Sequence, residues 1–101
     1  MNKPVEIHPA AEQELIEAAQ WYEERASLGS DLIDEVLAVR DMLAERFETY
    51  TPLSDMPGVR SADVRRFPYR LICHSQPDRI LVLAVAHERR RPAYWRDRLP
   101  E

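Results

Sequence analysis

The sequence predicts an α+β domain in which an antiparallel helical hairpin packs against a small, mainly antiparallel sheet. Two observations support this prediction. Apolar residues recur at three- and four-residue steps through the first half of the chain, and short apolar runs separated by turn residues occupy the second half. At 101 residues the chain has the length of one domain. We therefore expect residues 1–101 to form a single domain.

The chain opens with a short predicted strand, in which Val5 and Ile7 alternate with polar residues. Pro9 follows at a position suited to the first turn of a helix, where a backbone N–H is not needed. The spacing of apolar residues then predicts a first helix over roughly residues 10–26. Its apolar stripe consists of Ala11, Leu15, Ala18, Ala19, Tyr22 and Ala26.

A second helix is predicted after the break at Leu28-Gly29-Ser30, with Ser30 as its N-cap. It extends to about Glu48 and is ended by Thr51-Pro52. Because the connection between the helices is short, they are expected to be antiparallel neighbours. The stripe of the second helix consists of Leu32, Val36, Val39, Leu43 and Phe47.

Three strands are predicted in the second half, after a Pro- and Gly-containing loop over residues 50–60. They are Val64–Phe67, Arg70–His74 and Ile80–Ala86, with a hairpin loop between the last two. The third strand is apolar at every position from Ile80 to Val85. It is therefore predicted to be central and covered on both faces.

Charge divides the chain into an acidic and a basic half. Residues 1–50 hold 4 Lys and Arg against 12 Asp and Glu, whereas residues 51–101 hold 10 Arg against 6 acids. Arginine offers a planar fork of donors that suits carboxylate and phosphate. The run Arg89–Arg91 is the best candidate for a functional patch, and the ends of adjacent predicted strands bring further arginines toward it. We expect these cations to meet at one end of the sheet.

Several classes of protein are disfavoured by composition. No run of about 18 apolar residues is present, and the first residues lack the apolar core of a signal peptide, so a cytoplasmic protein is expected. The lone Cys73 lies in an apolar strand and is expected to be a small buried hydrophobe in a reducing compartment. No metal site and no cofactor are predicted, because no cluster of ligand residues with suitable spacing occurs.

Three segments stand out as a set: Val64–Arg70 with its Phe-Pro-Tyr step, the apolar run Ile80–His87, and Arg89–Pro92 followed by Trp95. Together they resemble the RelE/ParE superfamily of toxins from bacterial type II toxin–antitoxin (plasmid stabilisation) modules. The Ala- and Glu-rich first helix, with Trp21-Tyr22 near its end, also fits. The Phe-Pro-Tyr form is more similar to the ParE branch than to the RelE branch.

The resemblance implies a small toxin that is neutralised by a short antitoxin, with which it forms a hetero-oligomer. The antitoxin's partly disordered segment would fold over the toxin. ParE-branch members are gyrase poisons, RelE-branch members cut messenger RNA on the ribosome, and fold alone does not choose between them. A net charge of −4 favours the ParE type, because a ribosome-dependent nuclease works among phosphates. A non-toxic module that only binds its antitoxin, as a co-repressor, is the third alternative.

Each alternative has its own candidate residues. RNA cleavage needs a base, an acid and cations, and a lysine-rich loop typical of RelE is absent from residues 49–63. Arg70 matches the strand arginine of RelE-type enzymes, and a structural role is the simpler interpretation of His87 and Trp95. The candidates for a RelE-type nuclease are Arg70, His87, Arg89, Arg90 and Tyr94. The candidates for contact with a target or antitoxin are Arg65, Arg66, Arg89, Arg90, Arg91 and Trp95.

Overall fold

Two helices pack on one face of a mixed five-stranded sheet in the computed structural model, which describes residues 3–53 and 55–99. The strand order is β1-β5-β4-β3-β2, with β1 parallel to β5 and the other neighbours antiparallel. Short 3-10 helices follow the second helix, at Phe47–Thr49, and the last strand, at Arg96–Arg98. In chain order the elements are β1 (Val5–Ile7), α1 (Pro9–Ala26), α2 (Gly29–Arg46), β2 (Thr51–Pro52), β3 (Val59–Asp63), β4 (Tyr69–Ser75) and β5 (Ile80–His87).

The predicted α+β architecture and its helical hairpin are confirmed, but the predicted cap of α2 is wrong. Ser30 lies inside the helix, and Leu28 at the N-cap makes no side-chain cap hydrogen bond. Instead the Gly29 N–H donates to Glu23 Oε1 of α1 at 3.1 Å. The preceding helix therefore supplies an acceptor for a free amide at the start of the next one.

The predicted strand Val64–Phe67 is also wrong. The observed strand is β3, at Val59–Asp63, which begins at the end of the loop predicted over residues 50–60. β2, at Thr51–Pro52 inside that predicted loop, pairs with its outer edge. Residues 64–68 form a tight turn in which Arg66 has a φ of 74° and the Val64 N–H donates to the Tyr69 carbonyl. Val64 and Phe67 are apolar because they are buried in the core between helices and sheet, not because they alternate along a strand.

The prediction of a central, doubly covered β5 is confirmed. One face contacts the core that both helices cover, through Ile80, Val82 and Val85. The register shifts between the pairs Ile72↔Ala84 and Cys73↔Val82, which leaves Leu83 as the extra residue of a β-bulge. The opposite face, here called the second core, consists of Val59, Ile72, Leu81, Leu83, Ala84, Ala86 and Trp95.

The single cysteine lies inside this structure as predicted. Cys73 is fully buried on the helix-covered face of β4 and is not part of a disulfide. Burial raises the pKa of its thiol to about 12. The thiol is therefore protonated at neutral pH and packs as a small apolar group.

The close contact of the two helices at Gly29 leads to a prediction whose sign is unusual. A Cβ at this position would lie 2.7 Å from the Ala19 carbonyl oxygen and 2.9 Å from Glu23 Cβ. We expect Gly29→Ala to lower the free energy of unfolding by about 1–3 kcal/mol, the usual range for overpacking. In an open helix the same change would stabilise by roughly 1 kcal/mol.

Urea denaturation of the variant and of wild type measures the difference. Ser30→Ala is the matched control, because Ser30 is exposed and adjacent, and we expect it to change the stability by less than about 0.5 kcal/mol. An unchanged or raised stability for Gly29→Ala would show that the helices are not held in contact here.

Candidate functional site

The ends of several elements meet at one end of the sheet, here called the cationic end. The β3–β4 turn lies beside the segment that follows β5, since the Glu88 N–H donates to the Pro68 carbonyl at 2.9 Å. The start of α2 reaches the same place, where Asp31 contacts Arg66. The arginines carried by these segments are Arg65, Arg66, Arg89, Arg90 and Arg91.

A cleft of about 480 Å³ opens at the cationic end, between α1 and the end of β5. Its rings form an edge-to-face series, with centroids 5.0 Å apart for Trp21 and Tyr22, 6.4 Å for Tyr22 and Tyr69, and 5.1 Å for Tyr69 and His87. Trp21 is 50% exposed. The lining residues are Glu14, Glu17, Ala18, Trp21, Tyr22, Tyr69, Val85, His87, Arg89, Arg90 and Tyr94.

His87 shapes the segment that leaves β5. Its Nδ1 accepts a hydrogen bond from the Arg89 N–H at 3.0 Å, and its carbonyl accepts from the Arg90 N–H at 3.0 Å. Because Nδ1 acts as an acceptor, the neutral ring carries its proton on Nε2. His87 thus orders the turn that presents the arginine run, which is the structural role considered for it from the sequence.

The part of the β5 edge that β1 does not reach is completed by two side chains rather than by a strand. β1 pairs with β5 only from Ile80 to Val82. Beyond that point the Val85 N–H donates to Glu14 Oε1 at 3.0 Å, and the Leu83 carbonyl accepts from Arg98 Nη1 at 2.9 Å. These two bonds satisfy backbone groups that would otherwise lie at an open sheet edge.

Glu14 also fastens the segment after β5 to α1. Arg98 binds its carboxylate in bidentate fashion, with Nη1 3.0 Å from Oε1 and Nη2 3.1 Å from Oε2. The Tyr94 hydroxyl donates to Oε2 at 2.8 Å. The side chains of Glu14 and Arg98 are each only 16% exposed. We call these three residues the Glu14 cluster.

The Glu14 cluster was missed by sequence reasoning. Glu14 was not among the site residues predicted from the sequence. A signal was nevertheless present: it lies three residues after Ala11 and four before Ala18, and so on the buried stripe of α1. An acid at such a position needs a buried partner.

Tyr94 is held in its protonated form. Burial and the hydrogen bond to Glu14 raise its pKa to about 12. At neutral pH its hydroxyl is a donor committed to the Glu14 carboxylate and is poorly suited to accept a proton. Its ring instead supports Arg90, whose guanidinium carbon lies 3.9 Å from the ring centroid.

The arginine run is the exposed part of the cationic end. Arg89, Arg90 and Arg91 are all exposed, as is Arg65 in the β3–β4 turn. Within residues 3–53 and 55–99, none of these four makes an ion pair.

Two other predicted site residues, Arg66 and Trp95, are not available at the surface as expected. Arg66 lies 3.4 Å from Asp31 and 3.7 Å from Glu35 of α2, so its charge is engaged within the chain. Trp95, considered for surface contact, is 4% exposed in the second core because it covers the outer face of the sheet. The exposed tryptophan of the cleft is Trp21.

Arg70 is separated from the other nuclease candidates. It pairs in register with Ala86, which faces the second core, whereas its neighbour Tyr69 pairs with His87 on the cleft side. Arg70 Nε is buried without a hydrogen-bond partner among the described residues. The structure therefore brings His87, Arg89, Arg90 and Tyr94 together and leaves Arg70 outside the cleft.

The described residues contain neither a candidate metal-binding cluster nor a helix suited to crossing a membrane. In residues 3–53 and 55–99 no His, Cys, Asp and Glu side chains group in a way that could hold a metal ion. Neither α1 nor α2 has the length and apolarity that a membrane-crossing helix needs.

Comparison with known proteins identifies one family and one fold. The family model described as "ParE toxin of type II toxin-antitoxin system, parDE" matches residues 5–92. Among solved structures, the chain is similar to one titled "Chromosomal ParDE TA system from P. aeruginosa", with a TM-score of 0.75 and 15% identity over 84% of this chain and 95% of that chain. At this identity the likeness shows the fold alone. No curated protein sequence matches the chain.

The Glu14 cluster leads to a stability prediction. Glu14→Gln keeps the size of the side chain but removes the charge that Arg98 and Tyr94 bind, and leaves Arg98 partly buried without its counter-ion. We expect the free energy of unfolding to fall by about 2–4 kcal/mol, as for other broken buried pairs. Urea denaturation measures this loss.

Glu17→Gln is the matched control, because Glu17 lies one turn away and is exposed, with Gln13 as its hydrogen-bond partner. We expect it to change stability by less than about 0.5 kcal/mol. Equal effects of the two substitutions would mean that the cluster does not hold the segment after β5.

The raised pKa of Tyr94 leads to a prediction about alkaline pH. Its ordinary pKa is about 10, and in the folded chain it is raised to about 12. The stability from its bound proton is therefore complete below pH 10 and is lost as the pH rises through about 12.

Tyrosinate absorbance during a titration tests the assignment. We expect a last tyrosine step near pH 12 that is absent in Tyr94→Phe and shifted to lower pH in Glu14→Gln. The unfolding free energy of Tyr94→Phe should also fall less steeply over this range than that of wild type. A wild-type titration that is complete near pH 10 would refute the hydrogen-bonded, buried hydroxyl.

Proposed function

The chain belongs to the family of ParE toxins of type II toxin–antitoxin systems, and we propose that it acts in the cytoplasm as a toxin that binds a cellular target such as DNA gyrase. A cognate antitoxin, bound in a hetero-oligomer, would neutralise it. The observation that carries the proposal is the exposed run Arg89–Arg91, which has no internal ion pair among the described residues. Arginine is enriched where proteins contact each other, and such a run suits an acidic protein surface.

The presentation of this run supports a binding role. His87 orders the turn before it through hydrogen bonds to the backbone of Arg89 and Arg90. Tyr94, itself held by Glu14, carries the Arg90 guanidinium on its ring. Cations that are already ordered lose less conformational entropy when a partner binds.

The arrangement of the nuclease candidates supports binding over RNA cleavage. Cleavage needs a proton acceptor, a proton donor and cations around one phosphate. Arg70 lies on the opposite face of the sheet, and the Tyr94 hydroxyl is committed to Glu14. A RelE-type ribosome-dependent endoribonuclease remains the second candidate function, because His87, Arg89 and Arg90 do share the cleft.

Expression of the chain in bacteria tests the proposed target. We expect growth arrest with DNA breaks and intact transcripts, and inhibition of gyrase by the purified protein. Replacing Arg89, Arg90 and Arg91 by alanine should weaken gyrase inhibition at least about tenfold, because arginine is enriched among the interface residues whose truncation costs more than about 1 kcal/mol. Arg40→Ala is the matched control, since Arg40 lies on α2, away from the cleft, and its guanidinium pairs with the neighbouring Asp41.

Other outcomes would reassign the function. Translation-dependent cleavage of transcripts, abolished by Arg70→Ala and by Tyr94→Phe, would establish the nuclease. Unimpaired growth together with tight binding of the antitoxin would establish a non-toxic, antitoxin-binding module. Equal loss of gyrase inhibition in Arg40→Ala and in the triple variant would show that the arginine run is not the contact.

A further inference from the structure

We propose that the cleft receives an anchor of the antitoxin: a large aromatic side chain flanked by carboxylates. Its occupation would cover Arg89 and Arg90, so that antitoxin and target compete for the same cations. This inference rests on the proposed function for the identity of the partner, but the chemistry of the anchor follows from the cleft itself. Toxicity tests the proposed function, whereas antitoxin affinity and peptide binding test the proposed anchor.

The wall of the cleft suits one large ring. Trp21, Tyr22 and Tyr69 lie in edge-to-face series along it, and the volume of about 480 Å³ falls within the usual range of ligand pockets. Edge-to-face packing of a further ring on this series would continue its geometry. Trp21 is half exposed in the free chain, and tryptophans at the rim of a concavity are typical binding hot spots.

The charges around the cleft favour an acidic partner. Arg89 and Arg90 lie at its rim with no ion pair among the described residues. The Glu14 carboxylate already pairs with Arg98 and accepts a hydrogen bond from the Tyr94 hydroxyl. Glu17 is the other acid of the lining and contacts Gln13. Carboxylates beside the entering ring would thus meet two cations, and lysines there would meet the same cations as like charges.

The cleft is ordered before anything enters it. Tyr94 is fixed by Glu14, Arg90 is stacked on Tyr94, and the turn at Arg89 is fixed by His87. An antitoxin segment that is disordered when free loses conformational entropy as it folds on binding. A preformed cleft avoids a second loss on the toxin side, which helps a short segment to bind tightly.

Competition follows from the shared residues. The arginine run that we propose for target contact begins at the rim of the cleft, and Arg89 and Arg90 belong to both. An antitoxin segment whose carboxylates bind these two guanidinium groups removes them from the target. Neutralisation then needs no change of toxin shape.

Substitution of Trp21 separates antitoxin binding from toxicity. Trp21→Ala removes the rim ring but leaves Arg89–Arg91 intact. We expect at least a hundredfold loss of affinity for the cognate antitoxin, measured by titration calorimetry with the co-expressed and purified partner, and partial recovery in Trp21→Phe. Growth arrest should persist in Trp21→Ala and should no longer be relieved by the antitoxin.

Ile16→Ala is the matched control, because Ile16 is an exposed apolar residue of the same helix that does not line the cleft. The affinity of Ile16→Ala for the cognate antitoxin should equal that of the wild-type chain. Unchanged affinity in Trp21→Ala, or equal losses in both variants, would overturn the inference. If the wild-type chain is not toxic, the proposed function fails while the affinity measurement still decides the inference.

Capped tripeptides test the chemistry of the anchor without any partner protein. We expect Glu-Phe-Glu to shift the indole resonance of Trp21 in NMR spectra and to bind about tenfold more tightly than Lys-Phe-Lys, a difference of roughly 1.4 kcal/mol. Replacing both Arg89 and Arg90 by alanine should abolish that preference. Equal binding of the two peptides, binding of neither, or preferential binding of adenosine monophosphate would each count against an acidic aromatic anchor.

Discussion

A single carboxylate, that of Glu14, connects three of the parts of the molecule that line the cleft: α1, β5 and the segment after β5. It projects from α1, accepts from the backbone of β5 at Val85, and binds Tyr94 and Arg98 of the segment that follows β5. Helix, sheet edge and terminal segment thus share one acceptor. The position of Arg90 depends on it indirectly, because Arg90 stacks on the ring that Glu14 holds.

Glu14 and Arg98 are needed at the edge of the sheet because β1 is too short to pair with all of β5. β1 covers only the first three residues of β5, and the bulge at Leu83 follows immediately. A longer β1 would satisfy the remaining edge with backbone groups but would leave no room for side chains there. Because Glu14 and Arg98 complete the edge instead, the polar groups that close the sheet also orient the segment that carries Tyr94.

The sequence predicted the parts of the fold that depend on simple periodicity. The helical stripes and the uninterrupted apolar run of β5 were sufficient for the hairpin and the central strand. β3 was misplaced because Val64 and Phe67 are apolar yet belong to a turn, while Val59–Asp63 mixes apolar and polar residues. In the site, exposed Arg89–Arg91 could be predicted from charge alone. The pairing of Glu14 with Tyr94 and Arg98 could not, because 80 and 84 residues separate Glu14 from these two residues in the chain.

The Glu14–Arg98 ion pair that links α1, β5 and the segment after β5 fixes the direction of side chains. A buried pair is often no more stabilising than apolar residues of the same volume, because desolvation offsets the attraction. Apolar residues, however, could not accept from the Val85 N–H, donate to the Leu83 carbonyl and fix the direction of the Tyr94 hydroxyl at once. The cluster therefore contributes orientation more than stability. The function proposed for this chain depends on cations at defined positions, and orientation is the property that such binding requires.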